Sequence, residues 1–410
     1  MNHHTPPGSS TADTQSAGAN DKTHLSETTK SQAVTAPGQS VRATVLPRVE
    51  WVGPEPKVNP SQRHRFEELG LLGEGGMGEV VLAKDHDIDR EVALKRLPAN
   101  CDLGRVLRFV EEIRTIGRLE HPNIVPVHDV GVDASGRYFF VMKRVQGETL
   151  ESIIAKIHAK DPVTLERYPM ERRVLIFLKI LDAMAYAHEQ GFIHRDLKPA
   201  NVMIGPFGEV TVMDWGLARR VKGVEVGGTD AAISGPRDGT VLETRFGALL
   251  GTPLYMSPEQ AEGKNAELDE RSDVYALCVL FHEFLHGHHY LDGRQGLDAV
   301  LEGVKTVKPN VHTMRAPDDV PVDLDWFLDT GLSKAKADRW PSVRAMEDEL
   351  QRIMRGECRV RCPRSLARRM LNETRTALDK HPVATMTSVV VMLAIGTTAV
   401  VHSLAVMIMR

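Results

Sequence analysis

Apolar residues recur along this chain at two characteristic spacings, which predict where its strands and helices lie. Short runs dominated by apolar residues, typical of strands, occupy residues 80–83, 90–95, 124–130, 138–143 and 209–213. Between residues 104 and 118, apolar residues recur every three or four positions and predict a helix. Two longer helices are predicted at about 170–190 and 269–287. These elements decide which polar residues lie at strand ends and which lie on helix faces.

The first 48 residues differ from the rest of the chain because they are rich in Ser, Thr, Gly, Ala, Gln and Pro and contain almost no aromatic residue. Such a segment buries too little apolar surface to offset the entropy cost of ordering it. We therefore predict that residues 1–60 form a disordered tail before the folded body. No basic stretch followed by an apolar run occurs there, so no signal peptide is expected.

The opposite end of the chain carries a long apolar run, residues 383–409, in which no side chain bears a formal charge. About twenty helical residues at ~1.5 Å each span the ~30 Å hydrocarbon core of a bilayer. We therefore predict a transmembrane helix that crosses the bilayer with some tilt. A helix buried in a protein core is the alternative, although such helices rarely stay apolar on every face.

A basic segment precedes this apolar run and sets its predicted orientation. Residues 352–381 contain nine Lys and Arg side chains against three Asp and Glu side chains. Positively charged flanks stay on the cytoplasmic side of a membrane, so residues 356–382 are predicted to form a cytoplasmic juxtamembrane segment. We therefore expect a single-pass protein of the cell inner membrane whose folded body is cytoplasmic.

Charge and cysteine content exclude few other classes of protein. The formal net charge is −4, so bulk charge does not suggest a nucleic-acid partner. None of the four cysteines, Cys101, Cys278, Cys358 and Cys362, forms a CxxC pair. Free thiols in a reducing compartment are therefore favoured over a zinc site.

Residues 73–80 fit the pattern G-x-G-x-x-G-x-V, which suggests a loop that binds phosphate. A dinucleotide-binding turn needs a helix directly after the glycines, whereas the strand-like run 80–83 follows here. This motif alone does not exclude an ordinary glycine-rich turn. In a hairpin tip without bulky side chains, backbone N–H groups can approach phosphate oxygens. The candidate nucleotide contacts are Gly73, Glu74, Gly75, Gly76, Met77, Gly78 and Val80.

Lys95 ends the strand-like run 90–95 and lies among apolar residues, together with Ala93, which we also count as a nucleotide contact. An ammonium group in such a place is costly unless it is paired. Its natural partners are the phosphates of ATP and a glutamate of the following helix. Glu112 has a better register for this pairing than Glu111, for which an exposed helix position is the simpler interpretation.

Residues 142–147 are predicted to connect two lobes and to contact adenine. The backbone around Lys143 and Val145 would contact the ring. Met142 would line the back of the adenine pocket, although an ordinary core methionine fits the sequence equally well. Glu148, just beyond the connector, is a candidate for a ribose contact or a plain surface acid.

The most informative stretch is His-Arg-Asp-Leu-Lys-Pro-Ala-Asn at residues 194–201, which is followed by Asp214 in an Asp-Trp-Gly triplet. Asp196 can orient and deprotonate an acceptor hydroxyl, and Lys198 can neutralise charge on the moving phosphate. Asn201 and Asp214 can hold Mg²⁺. A chance surface loop is a poor explanation for so many residues in register. The stretch predicts ATP- and Mg²⁺-dependent phosphoryl transfer to a hydroxyl.

Taken in order, these motifs resemble the protein kinase superfamily over about residues 66–355, and in particular the bacterial serine/threonine kinases that are similar to eukaryotic ones. The resemblance implies a two-lobed α+β fold. Its N-lobe, residues 61–145, would be an antiparallel sheet with one main helix, and its C-lobe, residues 146–355, would be mainly helical. It also implies that Asp196 is the catalytic base and that Lys198 contacts the γ-phosphate. Lys95 would contact the α- and β-phosphates and pair with Glu112.

The resemblance extends to residues that would hold the catalytic loop and the segment after it. Asp273 is expected to hold the backbone of the catalytic loop, and Glu259 is expected to pair with Arg339 in the C-lobe. Trp215 departs from the phenylalanine usual in such a triplet, and we expect altered packing with metal binding retained. An insertion at about residues 221–244 is rich in Gly, Asp, Thr and Ser.

This insertion and its flanks carry candidate phosphorylation sites. Arg195, beside the predicted base, offers a guanidinium for a phosphate on this loop. We therefore expect autophosphorylation at one or more of Thr240, Thr244 and Thr252.

Two other functions stay as alternatives to an active protein kinase. A pseudokinase scaffold would bind nucleotide and recruit partners to the membrane, but every residue that the chemistry needs is present. A small-molecule phosphotransferase is disfavoured because it would rarely combine these motifs. The expected partners are ATP, a protein substrate that the sequence does not identify, and the membrane. Homodimerisation stays open, since Ala394 and Thr398 form only a generic pair of small residues.

Overall fold

The computed structural model describes residues 43–59, 63–75, 78–99, 101–220, 252–308 and 320–357, together with separate residues between 369 and 399. The first half of this described part contains most of its strands and the second half most of its helices. Strands β1–β7 are Arg48–Val52, Glu55–Asn59, Phe66–Gly75, Gly78–Asp85, Arg90–Arg96, Val127–Val132 and Tyr138–Lys143, and helix α1, Leu103–Ile116, lies between β5 and β6.

An antiparallel sheet of five strands, in the order β3-β4-β5-β7-β6, forms the upper lobe. Alternate residues of its strands, such as Val81, Val92 and Val141, pack into a core on one face of the sheet. Helix α1 begins at the cap Asp102, whose side chain accepts a hydrogen bond from the Arg105 N–H. This capping satisfies one of the free N–H groups of the first turn. The sheet with one main helix agrees with the predicted N-lobe.

The strand predictions hold for most of this sheet and fail at one end. The predicted strand at 138–143 is β7, and the predicted strand at 90–95 is β5 within one residue. The strand predicted from residue 124 begins only at Val127. Pro126 has no N–H to donate, and Ile124 forms an isolated bridge with Val212 instead of joining β6.

The lower lobe is mainly helical and is built around two long buried helices. Helices α2–α9 are Leu150–His158, Pro162–Arg167, Met170–Glu189, Pro258–Ala261, Glu270–His286, Leu297–Thr306, Val322–Gly331 and Val343–Met354. Phe177 of α4 stacks on Phe281 of α6 with ring centroids 3.9 Å apart, and Phe327 of α8 meets Phe281 edge to face. Aromatic contacts of this kind stabilise a core beyond the area they bury. The fold class is therefore two-lobed and α+β, as predicted.

Short strands position the loops that carry the predicted catalytic residues. Strand β9, Phe192–Ile193, pairs with β12, Arg219–Arg220. Strand β10, Val202–Ile204, pairs with β11, Val210–Val212, and with β8, Glu148–Thr149. The loop from β9 to β10 carries the His-Arg-Asp stretch, and Asp214 follows β11. These pairings bring both segments to the edge of the lower lobe that faces the sheet.

The prediction of a disordered tail to residue 60 is wrong for residues 48–59, which form a β-hairpin. Strands β1 and β2 pair from Arg48 with Asn59 to Val52 with Glu55, and Gly53 in the turn has a φ of +66°. The alternation of the sequence Arg-Val-Glu-Trp-Val and the Gly-Pro turn are hairpin signals that the tail composition obscured. Residues 1–42 lie outside the described residues.

The C-terminal region is described only in part. No helix in the described part of the chain has the length and apolar character needed to cross a membrane. The predicted transmembrane segment 383–409 lies largely outside the described residues, and those of its residues that are described are helical and exposed.

Candidate active site

A largely buried lysine on the sheet contacts acids from both lobes. Lys95 Nζ on β5 donates to Glu112 Oε1 on α1 at 2.6 Å and lies 3.8 Å from Asp214 Oδ1. Burial acts to lower the pKa of Lys95, but the attraction of Glu112 and Asp214 outweighs it, so the pKa is raised above its ordinary value. The ammonium group therefore stays charged at neutral pH. The ion pair that the motif predicted is present.

The sheet register aligns four of the predicted nucleotide contacts. Val80 pairs with Lys95 across β4 and β5, and Ala93 pairs with Met142 across β5 and β7. Because cross-strand partners point to the same side of a sheet and side chains repeat every second residue, these four residues share one face. That face is the one from which Lys95 reaches Glu112.

The described residues of the glycine motif lie where β3 and β4 meet, and the two strands pair up to Gly75 and Gly78, as the predicted hairpin requires. Gly73, Glu74 and Gly75 end β3 and Gly78 begins β4, while Gly76 and Met77 lie outside the described residues. A side chain at Gly78 is excluded, since its φ is +135° and a Cβ atom would lie 2.1 Å from the Arg96 carbonyl oxygen. The backbone of β3 and β4 is thus free of bulk where the predicted phosphate contacts lie.

The connector between the lobes presents backbone polar groups beside Met142. Met142 is half-buried against the main core. The Lys143 N–H donates to the Pro126 carbonyl at 3.1 Å, whereas the Val145 N–H and C=O have no hydrogen-bond partner among the described residues. Glu148 forms ion pairs with Lys156 and Arg167. Val145 therefore offers the donor and acceptor that an adenine edge needs.

Asp273 on α6 holds the backbone of the loop after β9. Its two carboxylate oxygens accept from the His194 N–H at 2.8 Å and the Arg195 N–H at 2.9 Å, and His188 Nε2 lies 2.8 Å away. Burial acts to raise the pKa of Asp273, but hydrogen bonding and attraction from His188, with the Arg195 N–H, lower it below its ordinary value. Arg195 adopts a φ of +69°, a conformation that such a fixed carboxylate helps to maintain.

The predicted base and its neighbours converge in the same loop. Lys198 Nζ donates to Asp196 Oδ2 at 3.1 Å, so the ammonium and the carboxylate are in direct contact within the loop. Asn201 Nδ2 donates to the Asp196 backbone carbonyl at 2.9 Å. This bond orients the amide so that its oxygen is left for another partner.

Asp214 is tied to the same loop through the backbone. The Met213 N–H donates to the Asn201 carbonyl at 2.8 Å, and Asp214 has a φ of +59°. Trp215 is buried, and its ring centroid lies 4.6 Å from that of His194. Its indole N–H has no hydrogen-bond partner among the described residues. Trp215 therefore fills an apolar position, as expected, and leaves one buried donor unsatisfied that a phenylalanine would not have.

The residues near Asp214 fit a hard divalent cation. The Asp214 side chain is 38% exposed, and together with the Asn201 amide oxygen it would offer an oxygen-only donor set. Mg²⁺ is commonly bound by one or two protein oxygens together with phosphate and water. In the described ranges, no group of three or more His, Cys, Asp or Glu is arranged to hold a metal ion.

The segment before α6 is fixed by an ion pair and by one residue that the motifs did not single out. Arg339 makes a bidentate pair with Glu259, with both N–O distances 2.8 Å, as predicted. Gln260 Nε2 donates to the Arg195 carbonyl at 2.8 Å, while its Oε1 accepts from the Ser257 N–H. The spacing Ser-x-x-Gln is a capping-box signal that could have identified Gln260. Gln260 thus joins this segment to the catalytic loop.

Comparison with known proteins agrees with the kind of site described above. The protein kinase domain model matches residues 66–351. The probable serine/threonine-protein kinase PknB of Corynebacterium glutamicum is 34% identical over 298 residues, which are 71% of this chain and 42% of that protein. PknB of Mycobacterium leprae is 33% identical over 73% of this chain and 44% of its own length. Kinase pkn3 of Myxococcus xanthus is 34% identical over 71% of this chain and 50% of its own length. The chain thus spans half or less of the length of these relatives.

Replacing Asp273 by Asn is expected to destabilise the protein by about 3 kcal/mol at pH 7, because three donors lose a charged acceptor. The lowered pKa means that the carboxylate stabilises the fold above the ordinary value of 3.8 and that this contribution is lost as the pH falls through the folded value. Urea unfolding at pH 7 and pH 3 would therefore show a difference between the two proteins that shrinks in acid.

Asp182→Asn is the matched control, since Asp182 is a surface acid of α4 that is 44% exposed. Its cost should stay below about 1 kcal/mol. An Asp273→Asn cost that is small at pH 7, or equal at both pH values, would contradict the role assigned to Asp273.

Proposed function

The chain belongs to the protein kinase family, and we propose that it transfers the γ-phosphate of ATP to serine or threonine hydroxyls of a protein. The observation that carries this proposal is the convergence of Lys95, Asp196, Asn201 and Asp214. Lys95 comes from the sheet, whereas the other three come from two loops of the lower lobe. Such an arrangement surrounds a triphosphate with one cation, one base and two metal-binding oxygens.

In the proposed reaction, positioning and electrostatics supply most of the rate. Lys95 stays charged and would bind the α- and β-phosphates. Asp196 would orient the acceptor hydroxyl and take its proton, and Lys198 would balance charge on the transferred group. Bound between Asn201 and Asp214, Mg²⁺ would neutralise phosphate charge.

Serine or threonine is favoured over tyrosine as the acceptor by two features. Lys198 lies two residues after the proposed base, and Thr252 begins the segment that leads to Glu259; both are typical of serine/threonine kinases by resemblance. The relatives compared above carry serine/threonine-protein kinase in their names. A membrane scaffold without catalysis is the second candidate, and the complete set of chemical groups argues against it.

Asp196→Asn in the full chain is expected to lower kcat by about 10²–10⁴-fold, because an amide cannot accept the hydroxyl proton. Transfer of the γ-phosphate to a generic basic protein, measured with the detergent-solubilised chain and Mg²⁺, checks this. Asp298→Asn, an exposed carboxylate of α7, is the control and should be unchanged. A wild-type chain that binds ATP and transfers nothing would support the scaffold instead.

We also propose that the chain phosphorylates its own activation loop, the segment between Asp214 and Glu259. Two arginines support this, since Arg195 Nη2 lies 3.3 Å from Asn265 Oδ1 and Arg219 Nη1 donates to the Asn265 carbonyl at 3.1 Å. Guanidinium groups close together favour binding of a phosphate. Thr240 and Thr244 lie outside the described residues, and Thr252 opens a 3₁₀ turn, Thr252–Tyr255.

Mass spectrometry of the chain after incubation with ATP and Mg²⁺ is expected to find phosphate on at least one of Thr240, Thr244 and Thr252. The Asp196→Asn variant should lack it, because the same active site would add the phosphate. Phosphate confined to residues outside 219–255, or equal in both proteins, would defeat this proposal.

We further propose that residues 383–409 anchor the chain to the inner membrane with the catalytic lobes on the cytoplasmic side. The uncharged composition of this run and the basic segment before it support the proposal. The described residues of this run expose large apolar side chains, among them Val383, Met392 and Ile395. Water does not favour such a surface, whereas lipid does.

Expressed in a bacterial host, the full chain is expected in the membrane fraction and should resist extraction with alkaline carbonate. A chain that ends at His381 should be released, because it lacks the apolar run. Equal release of both chains would contradict anchoring by this segment. Retention of both chains in the membrane fraction would contradict it as well, because another segment would then be the anchor.

A further inference from the structure

Lys334 is a half-buried lysine of the lower lobe that the catalytic motifs do not include. It lies in the turn between α8 and the 3₁₀ turn Lys336–Asp338. Its Nζ donates to the Tyr275 hydroxyl at 2.8 Å and to the Val304 carbonyl at 2.6 Å. The same Nζ lies over the rings of Tyr275 and Tyr290, at 5.1 and 5.4 Å from their centroids.

The bond to Val304 caps the end of helix α7. The last carbonyls of a helix have no partner within the helix, and an amine at that end satisfies one of them. The Val304 side chain, with Val300 and Leu291, forms a small core against which Leu254, Ala261 and Tyr290 pack. Helix α7 thereby supports both the 3₁₀ turn Thr252–Tyr255 and helix α5.

A second connection runs through tyrosine hydroxyls and the Glu259–Arg339 pair. Tyr275 Oη lies 2.8 Å from Tyr290 Oη. The Arg339 guanidinium lies 5.0 Å from the Tyr275 ring centroid, and its Nη2 donates to the Lys334 carbonyl at 3.0 Å. Lys334 therefore contacts two elements that hold residues 254–260: helix α7, which packs against Leu254, and Arg339, which pairs with Glu259. Gln260 joins this segment to the catalytic loop.

The charge environment of Lys334 is unusual for a lysine. Its Nζ has no carboxylate within ion-pairing distance in the described part of the chain. The groups that face it are the Tyr275 hydroxyl, the Tyr275 and Tyr290 rings, and the cations Arg339 and Lys308. Glu259, which lies near Tyr275, is already paired with Arg339. The pKa of Lys334 is lowered to about 7, mainly by burial and further by the positive charges of Arg339 and Lys308. Its charge thus changes near neutral pH.

We propose that Lys334 is a positioning residue that holds residues 254–260 in place, so that a protein substrate is presented to Asp196. The inference rests on the proposed kinase function and adds a residue that acts through the helix α7 cap and the tyrosine pair. Lys334 touches neither ATP nor the acceptor hydroxyl. It should therefore affect the KM for the protein substrate more than the KM for ATP.

Lys334→Met removes the donor and leaves the Val304 carbonyl and the Tyr275 hydroxyl without it. In the full chain we expect the KM for a basic protein substrate to rise about tenfold, with the KM for ATP within about twofold of wild type. Lys334→Arg keeps a donor and a permanent charge, so it should restore part of the affinity. In the wild type the substrate KM should rise between pH 6 and pH 8 as Lys334 loses its charge, and Lys334→Arg should remove that rise. Lys305→Met, which removes only a surface ion pair with Glu302 on α7, is the control and should match wild type.

Hydrogen exchange supplies a readout that does not depend on catalysis. Lys334→Met should speed exchange of residues 252–261 about tenfold and leave residues 78–96 unchanged. If the wild type transfers phosphate but Lys334→Met keeps its substrate KM and its exchange rates, the proposal for Lys334 is overturned. Equal rises in both KM values, with faster exchange throughout, would show a general structural role and overturn it as well. A wild-type chain that transfers no phosphate, whatever its exchange, would instead remove the kinase function on which the proposal rests.

Discussion

The buried carboxylate of Asp273 is the constraint on which the rest of the site depends. It receives two consecutive backbone N–H groups of the catalytic loop and the His188 side chain. A buried charge is tolerated only when its oxygens are satisfied, so the loop has few other ways to settle against α6. The unfavourable φ of Arg195 follows from this fixed geometry. From there, Asn201 donates to the Asp196 carbonyl and the Met213 N–H donates to the Asn201 carbonyl, which ties the backbone before Asp214 to the catalytic loop.

A lysine that pairs with acids of both lobes completes the arrangement of the site. Lys95 is shared between Glu112 of the upper lobe and Asp214 of the lower lobe. Removing Glu112 would leave Lys95 without its close partner, at a cost on the order of 3–5 kcal/mol. Removing Asp214, which is more distant and more exposed, would cost less. The position of α1 relative to the lower lobe therefore bears directly on the charge that ATP would meet. The Glu259–Arg339 pair plays a similar part lower down, where it fixes the segment that leads from the activation loop.

Much of the fold and of the site could be predicted from the sequence, and the exceptions have physical causes. Helix α6 was predicted at 269–287 and runs from Glu270 to His286, because its apolar residues and its Asp cap are both visible in the sequence. The β1–β2 hairpin was missed because tail composition outweighed a short alternating run. The capping-box spacing marks Gln260 as a helix-cap residue, but its contact with the catalytic loop and the contacts of Lys334 could not be predicted. Their hydrogen bonds join residues 30 or more positions apart, and no local pattern encodes which distant carbonyl a side chain will reach.

A structure of the detergent-solubilised chain with a non-hydrolysable ATP analogue and Mg²⁺ tests the central claim most directly. The account predicts one nucleotide between the sheet and the lower lobe, with Lys95 at the α- and β-phosphates, Mg²⁺ on Asn201 and Asp214, and the γ-phosphate beside Asp196 and Lys198. A nucleotide bound elsewhere, or one bound in the cleft with Asp196 turned away from the γ-phosphate while Asp273 keeps its bonds, would contradict it.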